Sequence, residues 1–150
     1  MIDEIDEAIR QLLTRELPIR NNEIDIAFEL PKREWSARLS RPTLNFYLYD
    51  VRENVKMRQM TAAWETTSNG STATTRRAPV RFDLFYMVTS WATQSDDEHR
   101  LLGRLIQMML RFPVLPDDLL PEAMRELKLP VVVQIAQPDI LDKPTELWGV

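Results

Sequence analysis

The residues best suited to chemistry stand together at Asp96-Asp97-Glu98-His99. Three carboxylates beside an imidazole could hold a divalent cation or run general acid–base catalysis. Their spacing argues against both, because consecutive helical residues point in different directions and four in a row do not converge on one ion. Ser95 and Glu98 have the spacing of a capping box, and acid in a first helical turn is favoured by the macrodipole, so the cluster reads as a helix start. His99 is the only histidine. A multi-histidine metal site is therefore impossible, and a Ser-His-Asp triad would have to be built on that one imidazole. The three glycines, Gly70, Gly103 and Gly149, form no phosphate-cradling loop. The chain has no cysteine, which rules out a disulfide framework, thiolate metal sites and Cys nucleophiles, and suits a reducing cytoplasm. The expectation is a protein that is not an enzyme, with no catalytic residues, no cofactor and no metal.

The elements that would carry any other function are set by composition and period. The 150 residues are 44% hydrophobic and 28% charged, an ordinary globular balance, and a chain of this length buries roughly 70% of its unfolded surface. A net charge of −4 provides no positive field for nucleic acid, and although aromatic strands with scattered arginines could suggest a single-strand platform, that acidity and the lack of a basic cluster beside the aromatics argue for no nucleic-acid partner. The acidic start MIDEIDEAIR has neither the basic nor the apolar region of a signal peptide. No apolar run has bilayer length, so no membrane insertion is expected.

Apolar residues at Ile2, Ile5, Ile9, Leu12, Leu13 and Leu17 predict an amphipathic helix over Asp3 to Leu17, stopped by Pro18. Ile24, Ile26, Phe28 and Leu30 alternate with polar or small residues and predict a strand ended by Pro31. Pro31 to Arg41 reads as a loop whose Trp35 and Leu39 either fold back onto the domain or meet a partner. Thr43 to Val51 is apolar on both faces, as a central strand covered on both sides would be. Val55 to Trp64 reads as a returning strand, Thr66 to Ala78 as a hairpin tip around Asn69-Gly70, and Pro79 to Thr93 as the longest strand. A helix from Ser95 to about Phe112 carries a wide apolar face with Gly103 permitting a close approach, and opposite it a basic stripe of Arg100, Arg104 and Arg111 with Gln107. A short Pro-interrupted helix at Asp117 to Leu127, a buried strand at Val131 to Gln137 and a helix start at Asp142-Lys143-Pro144 complete the chain. The fold class is α+β, with a mixed, mostly antiparallel sheet of four to five strands and two main helices packed on it.

The run REWSARLSRPTLNFYLYDVREN at Arg33 to Asn54 resembles the tail-terminator, or cap, proteins of contractile injection systems, the phage-tail-like particles of bacteria. The resemblance continues through Arg58, Trp64, APVRFDLFYMVTSWA at Ala78 to Ala92, DEHRLLGRLIQMMLRFPVLP at Asp97 to Pro116, and AQPD at Ala136 to Asp139. It implies one terminator-like domain over residues 1–150, short at its C-terminal end, that assembles in the bacterial cytoplasm as a homo-oligomeric, six-fold ring. The ring would sit on the end of the inner tube and sheath distal to the baseplate, in a particle released or retained. Its protein partners would be the tube and sheath proteins.

Exposure arguments pick out interface residues for such a subunit: Trp35, Arg38 and Arg41 in the loop, Arg76 and Arg77 at the hairpin base, Trp91 on the long strand, and Arg100 and Arg104 on the second helix. The alternatives are another structural part of the same particle, such as a tube-to-baseplate adaptor, and a small hydrolase or ligand-binding domain that would depend on His99.

Overall fold

A computed structural model describes residues 1–17, 23–60, 64–68, 73–77 and 79–136, with side chains at most of these positions. Helix α1 spans Ile2–Glu16 and presents Ile5, Ala8, Ile9, Leu12 and Leu13 to the core. The apolar positions repeat every three or four residues, so helix formation brings them onto one stripe. Each fully buried Leu or Ile there contributes roughly 1.5–3 kcal/mol.

Strand β1 is short, Asp25–Ala27, and pairs in parallel with β2, Thr43–Glu53. The alternating run expected to reach Leu30 stops early because a side chain takes over from the strand. Asn45 is fully buried, accepts a hydrogen bond from the Glu29 backbone N–H at 2.9 Å, and donates from Nδ2 to the Glu29 carbonyl at 2.9 Å. The Asn45 amide thus does the work of a ladder pair, and the main chain turns away. Arg10 ties α1 to the same segment, donating to the Ile26 carbonyl at 2.7 Å with its guanidinium 5.1 Å from the Phe28 ring centre.

The segment expected as loop holds one helical turn, α2 at Arg33–Ser36. β2 then runs through the centre of a three-stranded sheet in the order β1–β2–β5, as its doubly apolar pattern predicts. A bulge between Leu48 and Asp50 shifts the register, so Val51 lies opposite Leu84 and not on the face of Tyr47. After β2, Asn54 caps a helix: its Oδ1 accepts from the Met57 N–H at 3.0 Å, and α3 spans Val55–Met60. This corrects the strand expected over Val55 to Trp64. The hairpin is present as β3, Trp64–Ser68, against β4, Ala73–Arg77, but it forms a separate two-stranded sheet. Its Asn69-Gly70 tip lies outside the described residues.

Strand β5, Phe82–Trp91, pairs antiparallel with β2 and is one residue shorter than it, so β2 is the longer of the two. Helix α4 spans Ser95–Arg111. Its start differs in detail from the expected capping box, because Gln94 is the N-cap residue and makes no side-chain cap bond. Glu98 reaches back to the Ala92 N–H at 3.0 Å, and its own carbonyl accepts from Ser90 Oγ at 2.9 Å. A short 3₁₀ turn at Asp117–Leu119 and α5 at Glu122–Glu126 match the expected interrupted helix.

Of the strand expected over Val131 to Gln137, the described residues 131–136 form none, and Gln137 lies outside the described residues. Val132 makes one isolated bridge to Val114 and is 57% exposed, while Val131, Val133 and Ile135 pack against the core. Left-handed backbone at Lys128 and Ala136 bounds the segment. Among the described residues the main sheet therefore has three strands, not four to five. Residues 142–144 lie outside the description.

The core lies between one sheet face and the two long helices. Leu44 and Phe46 of β2 meet the α1 stripe, Leu101, Leu105, Met108 and Met109 of α4, and Leu115 and Leu120. Tyr86, projecting from the same face of β5, donates to Asp6 of α1 at 2.6 Å. Burial and that carboxylate together push the Tyr86 phenol well above its usual pKa. No helix among the described residues is long and apolar enough to cross a membrane.

Candidate functional site

The candidate interface residues fall at different places on this frame. At one end of the sheet, where β2 begins and β5 ends, Thr43 pairs with Trp91. Trp91 projects from the face opposite the core, together with Met87 and Phe85, and α2 lays Trp35 against it. The ring centres are 5.9 Å apart and the planes 83° apart, the edge-to-face arrangement that ring quadrupoles favour. Trp35 is 8% exposed. Of the two readings that its size leaves open, Trp35 thus takes the first: it folds back onto the domain and packs on Trp91, whose indole N–H donates to Thr89 Oγ1 at 2.9 Å.

Arg38 and Arg41 are exposed on the loop that this tryptophan pair anchors, and Arg41 lies 3.7 Å from Asp25. Arg100 is exposed in the second turn of α4 and donates to Asp97 at 2.7 Å. Surface pairs of this kind are worth less than about 1 kcal/mol, so neither is fixed for stability alone. Arg104 lies further along α4, on the rim of an open groove of about 430 Å³ lined also by Glu16, Leu17, Gln107, Met108 and Arg111. Arg76 and Arg77 occupy β4 opposite Glu65 and Trp64. Trp35, Trp91, Arg38 and Arg41 therefore form one group, Arg100 sits on the helix that follows Trp91, and the β4 arginines belong to the opposite end.

That opposite end holds what the sequence did not single out. Around the β2–α3 junction and the start of β5, Val51 is 42% exposed, Val55 42%, Met57 36%, Val80 42% and Phe82 53%. The Asn54 N–H donates to the Arg81 carbonyl at 2.9 Å, which holds these segments together. Period-two alternation places Phe82 and Leu84 on the core face but cannot say where the helices covering that face stop. A second exposed stripe, Ile106 and Leu110 on α4 with Val114 beyond, runs past the groove. Gly103 lies in open space within the chain, so no close approach there explains it.

The acidic run at α4 has no ligand geometry. Among the described residues no group of three or more His, Cys, Asp or Glu side chains could hold a metal ion. His99 is exposed beside residues already bound to backbone groups or to Arg100. Among the described residues the arrangement offers exposed apolar and charged surface and no metal-holding cluster.

A solved chain described as the PVC sheath/tube terminator in the extended state, from a cryo-EM structure of an extracellular contractile injection system, superposes with a TM-score of 0.59. It is 21% identical, and the match covers 81% of this chain and 42% of that one. This chain thus aligns with less than half the length of that terminator. No curated protein matches the sequence. The model of the Pvc16 N-terminal domain matches residues 4–150, nearly the whole sequence, and the chain belongs to that family.

Proposed function

We propose that this chain is a structural terminator of a contractile injection system, closing the end of the sheath and tube. The observation that carries the reading is the fold shared with a sheath/tube terminator, on a chain whose sequence matches the Pvc16 N-terminal domain almost throughout. Copies sit side by side as a six-fold ring on the baseplate-distal end, one surface against the tube and one against the last sheath layer. Assembly takes place in the bacterial cytoplasm before the particle is released or retained.

A ring needs two unlike surfaces that meet head to tail, with more than roughly 1,000 Å² buried at each junction. The exposed apolar end near Phe82 and the Ile106–Leu110 stripe provide the apolar part of such surfaces. Arg38, Arg41, Arg100 and Arg104, with Arg76 and Arg77 on the hairpin, provide rim charge that sets orientation and encounter rate. Trp35 and Trp91 act indirectly, by fixing the loop that carries Arg38 and Arg41.

The test is removal of this chain from particle-producing cells. Terminator function predicts tubes and sheaths of unregulated length with frayed distal ends, and complementation restores them. Particles of normal length with an empty baseplate end would instead assign the chain to a tube-to-baseplate adaptor.

A further inference from the structure

We propose that hairpin β3–β4 of one copy adds to the open outer edge of β5 in a neighbouring copy, extending the three-stranded sheet to five strands across the subunit boundary. The inference rests on the ring reading only in requiring that copies stand side by side.

Two features of the fold are each unsatisfied alone. β5 is an edge strand of ten residues whose described backbone pairs only with β2. Natural edges are blunted by short length, proline, bulges or charge, yet Phe82–Trp91 contains no proline or lysine and a single charged residue, Asp83. The bulge of this pair lies on β2, away from the open edge.

The hairpin has the complementary problem. Among the described residues its five-residue arms pair only with each other, as a separate two-stranded sheet. A two-stranded hairpin is at best marginally stable in water, and the Thr66–Thr75 side-chain contact adds little to it. Arms of this length span about 17 Å at strand rise, half of the open edge, so the hairpin fits along β5 without a gap in the ladder. β4 carries Arg76 and Arg77 in its sequence and β5 carries Asp83 as its one charged residue, a complement of charge that favours this occupant over an acidic strand from elsewhere. Strand addition of this kind takes its affinity from main-chain hydrogen bonds, and among the described residues neither outer edge has a strand partner.

The absence of cysteine allows a direct test. One set of full-length chains carries Thr66→Cys or Thr75→Cys on the hairpin. A second set carries Asp83→Cys, Phe85→Cys, Met87→Cys or Thr89→Cys on β5, and Glu122→Cys on α5 is the control. Each hairpin variant is mixed with each β5 variant, both as purified chain at high concentration and during particle assembly with tube and sheath proteins, then mildly oxidised.

The proposal predicts a disulfide-linked heterodimer for at least one hairpin–β5 pair, at tenfold or more over the α5 control. It is overturned if no hairpin–β5 pair exceeds the control in either setting. Electron microscopy of the same particles separates the two claims. Capped ends without hairpin–β5 linkage sink this contact and leave the terminator reading standing, whereas linkage in purified chain with no protein at particle ends does the reverse.

Discussion

The two ends of the β2–β5 ribbon are built on opposite terms. At the Trp35–Trp91 end the aromatic surface is turned inward, Asn45 satisfies both backbone groups of Glu29, and the outermost groups are charged. At the hairpin end Val51, Val80 and Phe82 stand exposed and the hairpin adds no strand to the main sheet. An end that is complete contributes to folding, and an end left incomplete is where another body can contribute. Exposed large apolar groups carry that meaning when they cluster, as they do here, and not when scattered.

The comparison can be broken by substitution at either end. Trp35→Ala removes a buried indole and is expected to cost about 3 kcal/mol in urea unfolding, with assembly retained in whatever fraction stays folded. A loss below about 1 kcal/mol together with failed capping would make the tryptophan end the interface and reverse the assignment. Asn45→Ala strips two hydrogen bonds from Glu29 and leaves a small cavity, for an expected loss of about 2 kcal/mol and faster amide exchange through residues 28–32.

Tyr86→Phe sharpens the account at the middle of the ribbon. Loss of the bond to Asp6 is expected to cost about 1 kcal/mol near neutral pH. The phenol titrates at higher pH when folded than when unfolded, so its contribution is complete below about pH 10, the unfolded value, and declines as pH rises toward the folded pKa. Unfolding measured from pH 8 upward should therefore show the wild type losing its advantage over Tyr86→Phe above pH 10. A constant difference across that range would contradict the buried phenol. The smallest folding effect belongs to Phe82→Glu, within about 0.5 kcal/mol of wild type in urea, yet this variant should lose capping and self-association.

Much of the frame was legible because it depends on local period. The α1 and α4 stripes, the doubly apolar β2 and the interrupted turn after Pro116 each follow from spacing within one element. What escaped was set by contacts distant in sequence or by one side chain. Asn45 ended β1 two residues into its alternation, and Asn54 capped a helix in a stretch whose Met57, Met60, Ala62 and Trp64 had suggested a strand. The Trp35–Trp91 contact joins residues far apart in the chain, so the sequence shows two large aromatic residues and not that each covers the other.

The candidate site was legible in a different proportion. The arginines at 38, 41, 100 and 104 are charged side chains at turns or on a helix face opposite an apolar stripe, and the described structure leaves them on the surface. The Val51–Phe82 patch was not legible, because alternation identifies the inward face of a strand and says nothing about where its cover ends. Strand number failed for a related reason: among the described residues two of the five strands pair only with each other, and pattern alone does not state which sheet a strand joins.

The most direct measurement of the central claim is a cryo-electron-microscopy reconstruction of both ends of assembled particles containing this chain. The account predicts a closed ring of this fold on the baseplate-distal end, with the Phe82 end of each subunit covered by protein and the Trp35–Trp91 pair intact inside it. Density for the chain at the baseplate, or a distal ring in which the Phe82 patch faces solvent, would contradict it.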